Sequence, residues 1–92
     1  MSRVFVLRPE PGLSATMERG RALGLAMEAM PLSHAEPVDW AVPDGAFDGV
    51  LLGSANALRH GGAGLQALTA LPALCVGETT AEAARETGFT VI

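Results

Sequence analysis

The chain has 92 residues, 49% of them hydrophobic and 4% aromatic, and a net charge of −4 from ten Asp and Glu against six Arg and no Lys. Such a short chain buries only about two thirds of the surface that its unfolded form exposes. The lack of a basic field excludes sequence-independent nucleic-acid binding, and no run approaches the ~18 apolar residues of a membrane span. A lone cysteine, Cys75, rules out an internal disulfide, and its apolar surroundings mark it as a buried, inert thiol of a cytoplasmic protein.

Arg3 to Leu7 reads as a first strand, apolar on both faces, and as a strand rather than a signal peptide. Pro9 and Pro11 end it, and Gly12 turns the chain into a helix. That helix runs from about Leu13 to Leu23, with Leu13, Met17 and Leu23 near helical spacing, and Gly24 takes the left-handed closing position. Ala26 to Leu32 is apolar enough for a second strand, interrupted by Glu28 and ended by Pro31. These elements make a first strand-helix-strand unit, residues 1–32.

Ser33 to Ala46 holds Pro37, Pro43, Gly45 and the only Trp, a composition that suits an exposed linker. Trp40 has two readings, a cap over the core edge, which is favoured, and an anchor on a partner surface. Phe47 to Leu52 is the third strand. It breaks at Gly53 into Ser54, which caps a helix running to about Thr69. The glycines at 61, 62 and 64 break that helix, each costing about 1 kcal/mol relative to Ala. They lack the spacing of a phosphate loop and predict a bulged or flexible segment. Pro72 to Val76 is the fourth strand. Thr79 with Glu82 spells a capping box for a last helix, which Gly88 ends, and Phe89 to Ile92 begins a fifth strand. Residues 47–92 therefore form the second unit.

The expected fold class is α/β, a flavodoxin-like parallel sheet of about five strands in the order 2-1-3-4-5 with flanking helices. The units close either within one chain or by exchange of halves in a homodimer.

No acid-base constellation stands out, and no metal site is expected. His34 and His60 lie in different segments with no Cys or carboxylate at ligand spacing. Ser54 stands in G-S-A-N, not in a nucleophile elbow. What recurs is a set of short polar residues at helix N-termini, where backbone N–H groups favour carboxylates and phosphates. Arg8 can add a bidentate partner for a carboxylate. The plainer alternative is that Ser54 and Thr79 only cap helices and that Arg8 only pairs with Glu10.

Three motifs occur in order: V-x-V-L-R-P-E-P-G from Val4, F-D-G-V-L-L-G-S-A-N-A-L-R-H-G-G from Phe47, and V-G-E-T-T-A-E-A-A-R-E-T-G-F from Val76. Together they resemble the N-terminal part of uroporphyrinogen-III synthase in its bacterial form. The resemblance implies a cofactor-free cytoplasmic enzyme of tetrapyrrole biosynthesis. Its small-molecule substrate is the linear hydroxymethylbilane, which it closes to uroporphyrinogen III with inversion of the last pyrrole ring through a spirocyclic intermediate. The family holds this eight-carboxylate substrate between two α/β domains, largely with backbone amides and hydroxyls. By motif position, Arg8 takes the place of the arginine in the family's opening R-P, and Thr80 that of a threonine associated with its active site. Ser54, Asn56 and Thr79 join them as implied substrate-binding residues. The family's chain is more than twice this length, and its second half supplies the rest of both domains. A tyrosine linked to leaving-group loss lies in that half, and this sequence has no Tyr.

Overall fold

The computed structural model describes residues 2–92, which form two compact units divided between Ala35 and Glu36. The protein is α/β, with its strands in two parallel sheets of two and three strands. No described helix is long and apolar enough to cross a membrane.

The first unit is β1 (Arg3–Val6), α1 (Gly12–Ala22) and β2 (Ala26–Ala29), with β1 and β2 parallel and Arg3 beside Ala26. Side chains alternate across a strand, and here only one face is covered. Val6 is buried with Leu13 and Met17 of α1, while Phe5 is 56% exposed. The expectation of a first strand covered on both faces is thus corrected. Glu28, which reads as an interruption of β2, sits on the open face and forms an ion pair with Arg3. Such an exposed pair contributes at most about 1 kcal/mol.

Leu13, Met17 and Gly20 form the buried stripe of α1. At Gly20 the helix comes so close to β2 that a β-carbon would run into the Met27 side chain. The helix closes with Leu25 N–H donating to the Gly20 carbonyl at 2.9 Å and Gly24 N–H to the Arg21 carbonyl at 3.0 Å. This pair of bonds places Gly24 at φ 81°, the left-handed conformation that favours glycine.

The second unit is β3 (Val50–Leu52), α2 (Ala55–His60), a 3-10 segment (Gly62–Leu68), β4 (Pro72–Cys75), α3 (Glu78–Thr87) and β5 (Thr90–Val91). Its sheet has the order β3-β4-β5, all parallel, with Leu51 beside Leu74 and Ala73 beside Val91. Leu52, Leu65, Ala73, Ala84 and Phe89 form the core on the helix-covered face, and half-buried Cys75 packs against them. The glycine-rich break after His60 leads into the ordered 3-10 segment, which inserts Leu65 into this core.

Two expectations are corrected here. A single five-stranded sheet in the order 2-1-3-4-5 does not form: its pairings of β1 with β2, β3 with β4 and β4 with β5 are all present, but β1 and β3 do not pair, and the strands divide into two sheets. Each observed parallel pair is joined by a helix-bearing crossover, the connection that parallel strands require. The link from β2 to β3, by contrast, contains no helix or strand. The Thr79–Glu82 capping box is also absent. α3 begins at Glu78 with Gly77 as its N-cap and no side-chain cap, which leaves Thr79 and Glu82 inside the helix. Gly77 already turns the chain, and the Gly77 carbonyl accepts from Ala81 N–H at 3.1 Å.

Candidate functional site

The register of β3 and β4 sets Leu52 beside Cys75, and the Val76 N–H extends the pairing by donating to the Leu52 carbonyl at 3.0 Å. The turns that follow, Gly53–Ser54 and Val76–Gly77, therefore leave the sheet side by side at its C-terminal edge. In open parallel sheets this edge is where ligands bind.

Ser54 is extended, and its Oγ accepts from the Asn56 N–H at 3.1 Å, the N-cap that the sequence predicts. The Asn56 side-chain oxygen accepts from the Arg59 guanidinium at 2.8 Å, leaving the Asn56 amide as a donor. On α3, exposed Thr79 faces outward, whereas Thr80 is buried at 5% exposure. Neighbouring helical residues point about 100° apart, so one of the two threonines opens to solvent and the other packs inward.

Between α2 and α3 lies an open groove of about 390 Å³, lined by Leu58, Arg59, Thr79, Glu82, Ala83 and Glu86 among others. Its charge is graded. Arg59 and Thr79 offer donors, while Glu82 and Glu86 lie further along α3 and repel anions. A carboxylate is favoured at the first-turn amides of α3 and at the Arg59 guanidinium. Glu78 in that first turn reaches along the helix to Arg85 at 3.0 Å. Arg59 is the participant that motif reading passed over. Its signal was present, three residues after Asn56, which puts both side chains on one helical face.

Arg8 belongs to the first unit. Its guanidinium donates to Thr16 Oγ1 at 3.0 Å and lies over Gly12. Glu10, the partner expected for it, instead accepts from Ser14 twice, from the hydroxyl at 2.6 Å and the backbone N–H at 2.8 Å. These bonds, the hydroxyl first, hold the Glu10 carboxyl below its ordinary pKa. The N-terminus of α1 is thereby occupied by the chain's own carboxylate, and Arg8 is fastened to the flank of the same helix. The structure thus brings Ser54, Asn56 and Thr79 to helix starts at one sheet edge, sets Arg59 in the groove between those helices with its guanidinium on Asn56, turns Thr80 inward, and holds Arg8 within the other unit.

Among the described residues, no group of three His, Cys, Asp or Glu is arranged to hold a metal ion. No known family model matches the chain, and no curated protein matches it.

Proposed function

We propose that this chain is a uroporphyrinogen-III synthase-like protein that binds the linear tetrapyrrole hydroxymethylbilane and closes it with inversion of the last ring. The observation that carries the reading is the adjacency of two turns. G-S-A-N and V-G-E-T-T, parts of two of the three resembling motifs, emerge from neighbouring parallel strands at one edge.

The chemistry available there suits the task. Ser54, Asn56, Arg59, Thr79 and the first amides of α3 are donors, which a substrate bearing eight carboxylates needs. Arg8 in the first unit and Thr80 behind Thr79 complete the binding set that the resemblance implies. The edge offers no paired acid and base, so catalysis rests on conformation. Loss of water, the hydroxyl from the hydroxymethyl group and the proton from the ring nitrogen, leaves an electrophilic azafulvene, and the donors hold the chain of rings in the shape that favours spirocyclic closure. No cofactor is required. The setting is cytoplasmic.

The test is the isomer ratio of the uroporphyrinogen formed when the protein meets freshly generated hydroxymethylbilane, against a protein-free control. Spontaneous closure gives the type I isomer, and enrichment of type III is expected. Type I alone, with quenching of Trp40 fluorescence by a tetrapyrrole retained, would reduce the reading to a non-catalytic tetrapyrrole-binding module. Type I without binding would remove it.

A further inference from the structure

The uncovered face of the second unit's sheet carries one apolar row across all three strands. Leu51 and Leu74 are register partners, and Ile92 N–H donates to the Ala73 carbonyl at 2.9 Å, which sets Ile92 beside Leu74. These side chains are 73%, 50% and 71% exposed, and Val76, two residues beyond Leu74 on the same face, is 62% exposed. The opposite face is closed, with Leu52 at 5% and Ala73 at 0%. Parallel sheets are normally covered on both faces, and a contiguous apolar patch of this kind marks an interface.

We propose that this face is where a second copy of the chain docks, sheet against sheet about a two-fold axis. Three observations select a copy of the chain as the occupant. The row Leu51–Leu74–Ile92 is apolar at both ends and at its centre, so a two-fold axis at Leu74 lays Leu51 of each copy over Ile92 of the other. An isologous contact needs such self-complementarity. The strands V-L-L, P-A-L-C and T-V hold no charged residue, so two chains of net charge −4 meet here without placing like charges in contact.

The area also fits. A buried Val, Leu or Ile side chain withdraws on the order of 100 Å² from water. Four that are half to three-quarters exposed supply roughly 250 Å² per copy, or roughly 500 Å² for the pair, the apolar share of an interface below ~1,200 Å². The dimer is therefore weak and concentration-dependent. Stacking of faces leaves the strand edges free, so it is distinct from an exchange of halves and does not depend on tetrapyrrole chemistry.

Sedimentation velocity on the intact protein tests the proposal. The mass is expected to rise from 9.4 kDa towards twice that value between about 10 µM and 1 mM. Leu74→Lys sets two ammonium groups against each other at the axis and should abolish the rise. Leu51→Lys, at the more exposed position, should do the same with an unchanged far-UV spectrum, which separates lost docking from lost folding. A monomer at every concentration would overturn the proposal. So would a dimer that persists in both variants, because it would use an edge or an exchange of halves.

Discussion

The indole N–H of Trp40 donates to the backbone carbonyl of Gly61 at 2.7 Å, and its ring lies against Gly64, where a β-carbon would approach within 2.9 Å of the indole. The helix-free stretch ahead of β3 is thereby tied to the turn that follows α2. Trp40 remains 42% exposed, so it covers this turn as a lid would rather than filling the core. Trp40→Phe keeps a ring but loses the bond, and should lower stability by about 1 kcal/mol. Urea unfolding followed by circular dichroism measures this, and a wild-type midpoint in the variant would show that the bond contributes nothing.

Adjacent residues of β3 should respond in opposite ways. Leu52 packs in the core, so Leu52→Ala should cost about 2–4 kcal/mol through lost burial and the cavity left behind. Leu51 faces away at 73% exposure, and Leu51→Ala in dilute solution should change stability by less than about 0.5 kcal/mol. Equal losses would mean that the outer face is covered even in the isolated chain.

Glu10 supplies a pH dependence of known sign. Its folded pKa lies below the unfolded value, so its contribution is complete above the ordinary carboxylate pKa of 4.5 and fades as pH falls through the folded value. Wild type should exceed Glu10→Gln in stability by a constant margin from neutral pH down to about that value, and the two should converge in more acid solution. The Ser14 amide resonance, titrated by NMR, reports the same event. A titration midpoint at or above the ordinary value would contradict the bonding seen here.

The two threonines separate recognition from packing. Thr79→Val removes an exposed hydroxyl at the groove and should weaken tetrapyrrole binding about five-fold, the value of one hydrogen bond, while leaving stability nearly unchanged. Thr80→Val keeps the buried shape, and a similar loss of binding is expected if its hydroxyl serves the site. Unchanged affinity in Thr80→Val, measured by quenching of Trp40 fluorescence, would assign Thr80 to packing alone.

Gly20→Ala sets two effects against each other. Alanine favours helix by about 1 kcal/mol, but its methyl meets Met27 across the contact between α1 and β2. Overpacking costs about 1–3 kcal/mol, so a net loss is expected, and the double variant with Met27→Ala should recover part of it. Thermal melts of the three variants read the balance. Stabilisation by Gly20→Ala alone would show that Met27 yields freely.

Some features of this molecule reside in contiguous residues and were legible there. The order of strands and helices, the closing glycines at 24 and 88, the Ser54 cap and the break after His60 follow from periodicity and from the backbone preferences of a few neighbours. The candidate edge was legible to the same degree, since Ser54 and Thr79 each follow an apolar run through a glycine. A competing local signal misled at α3, where Thr79 and Glu82 spell a capping box but Gly77, two residues earlier, already turns the chain and starts the helix.

What the tertiary structure alone decided concerns residues far apart in the chain. An apolar run such as Val50-Leu51-Leu52 does not state how many of its faces are covered, because that depends on which helices cross over it. α2, α3 and the 3-10 segment all cover the Leu52 face, and the row through Leu51, Leu74 and Ile92 is left open. The pairing of β1 with β3 is likewise not written in either strand, and it is absent here because the link from β2 to β3 carries no helix to cross over the sheet, whereas a helix-bearing crossover joins every pair that did form. Arg59 came to line the same groove as Thr79 only once α2 and α3 packed together. The sequence by itself determined the local elements and the donors at their ends, since those depend on neighbouring residues. The division into two sheets, the open face and the company each donor keeps came from packing, which joins residues that the chain holds apart.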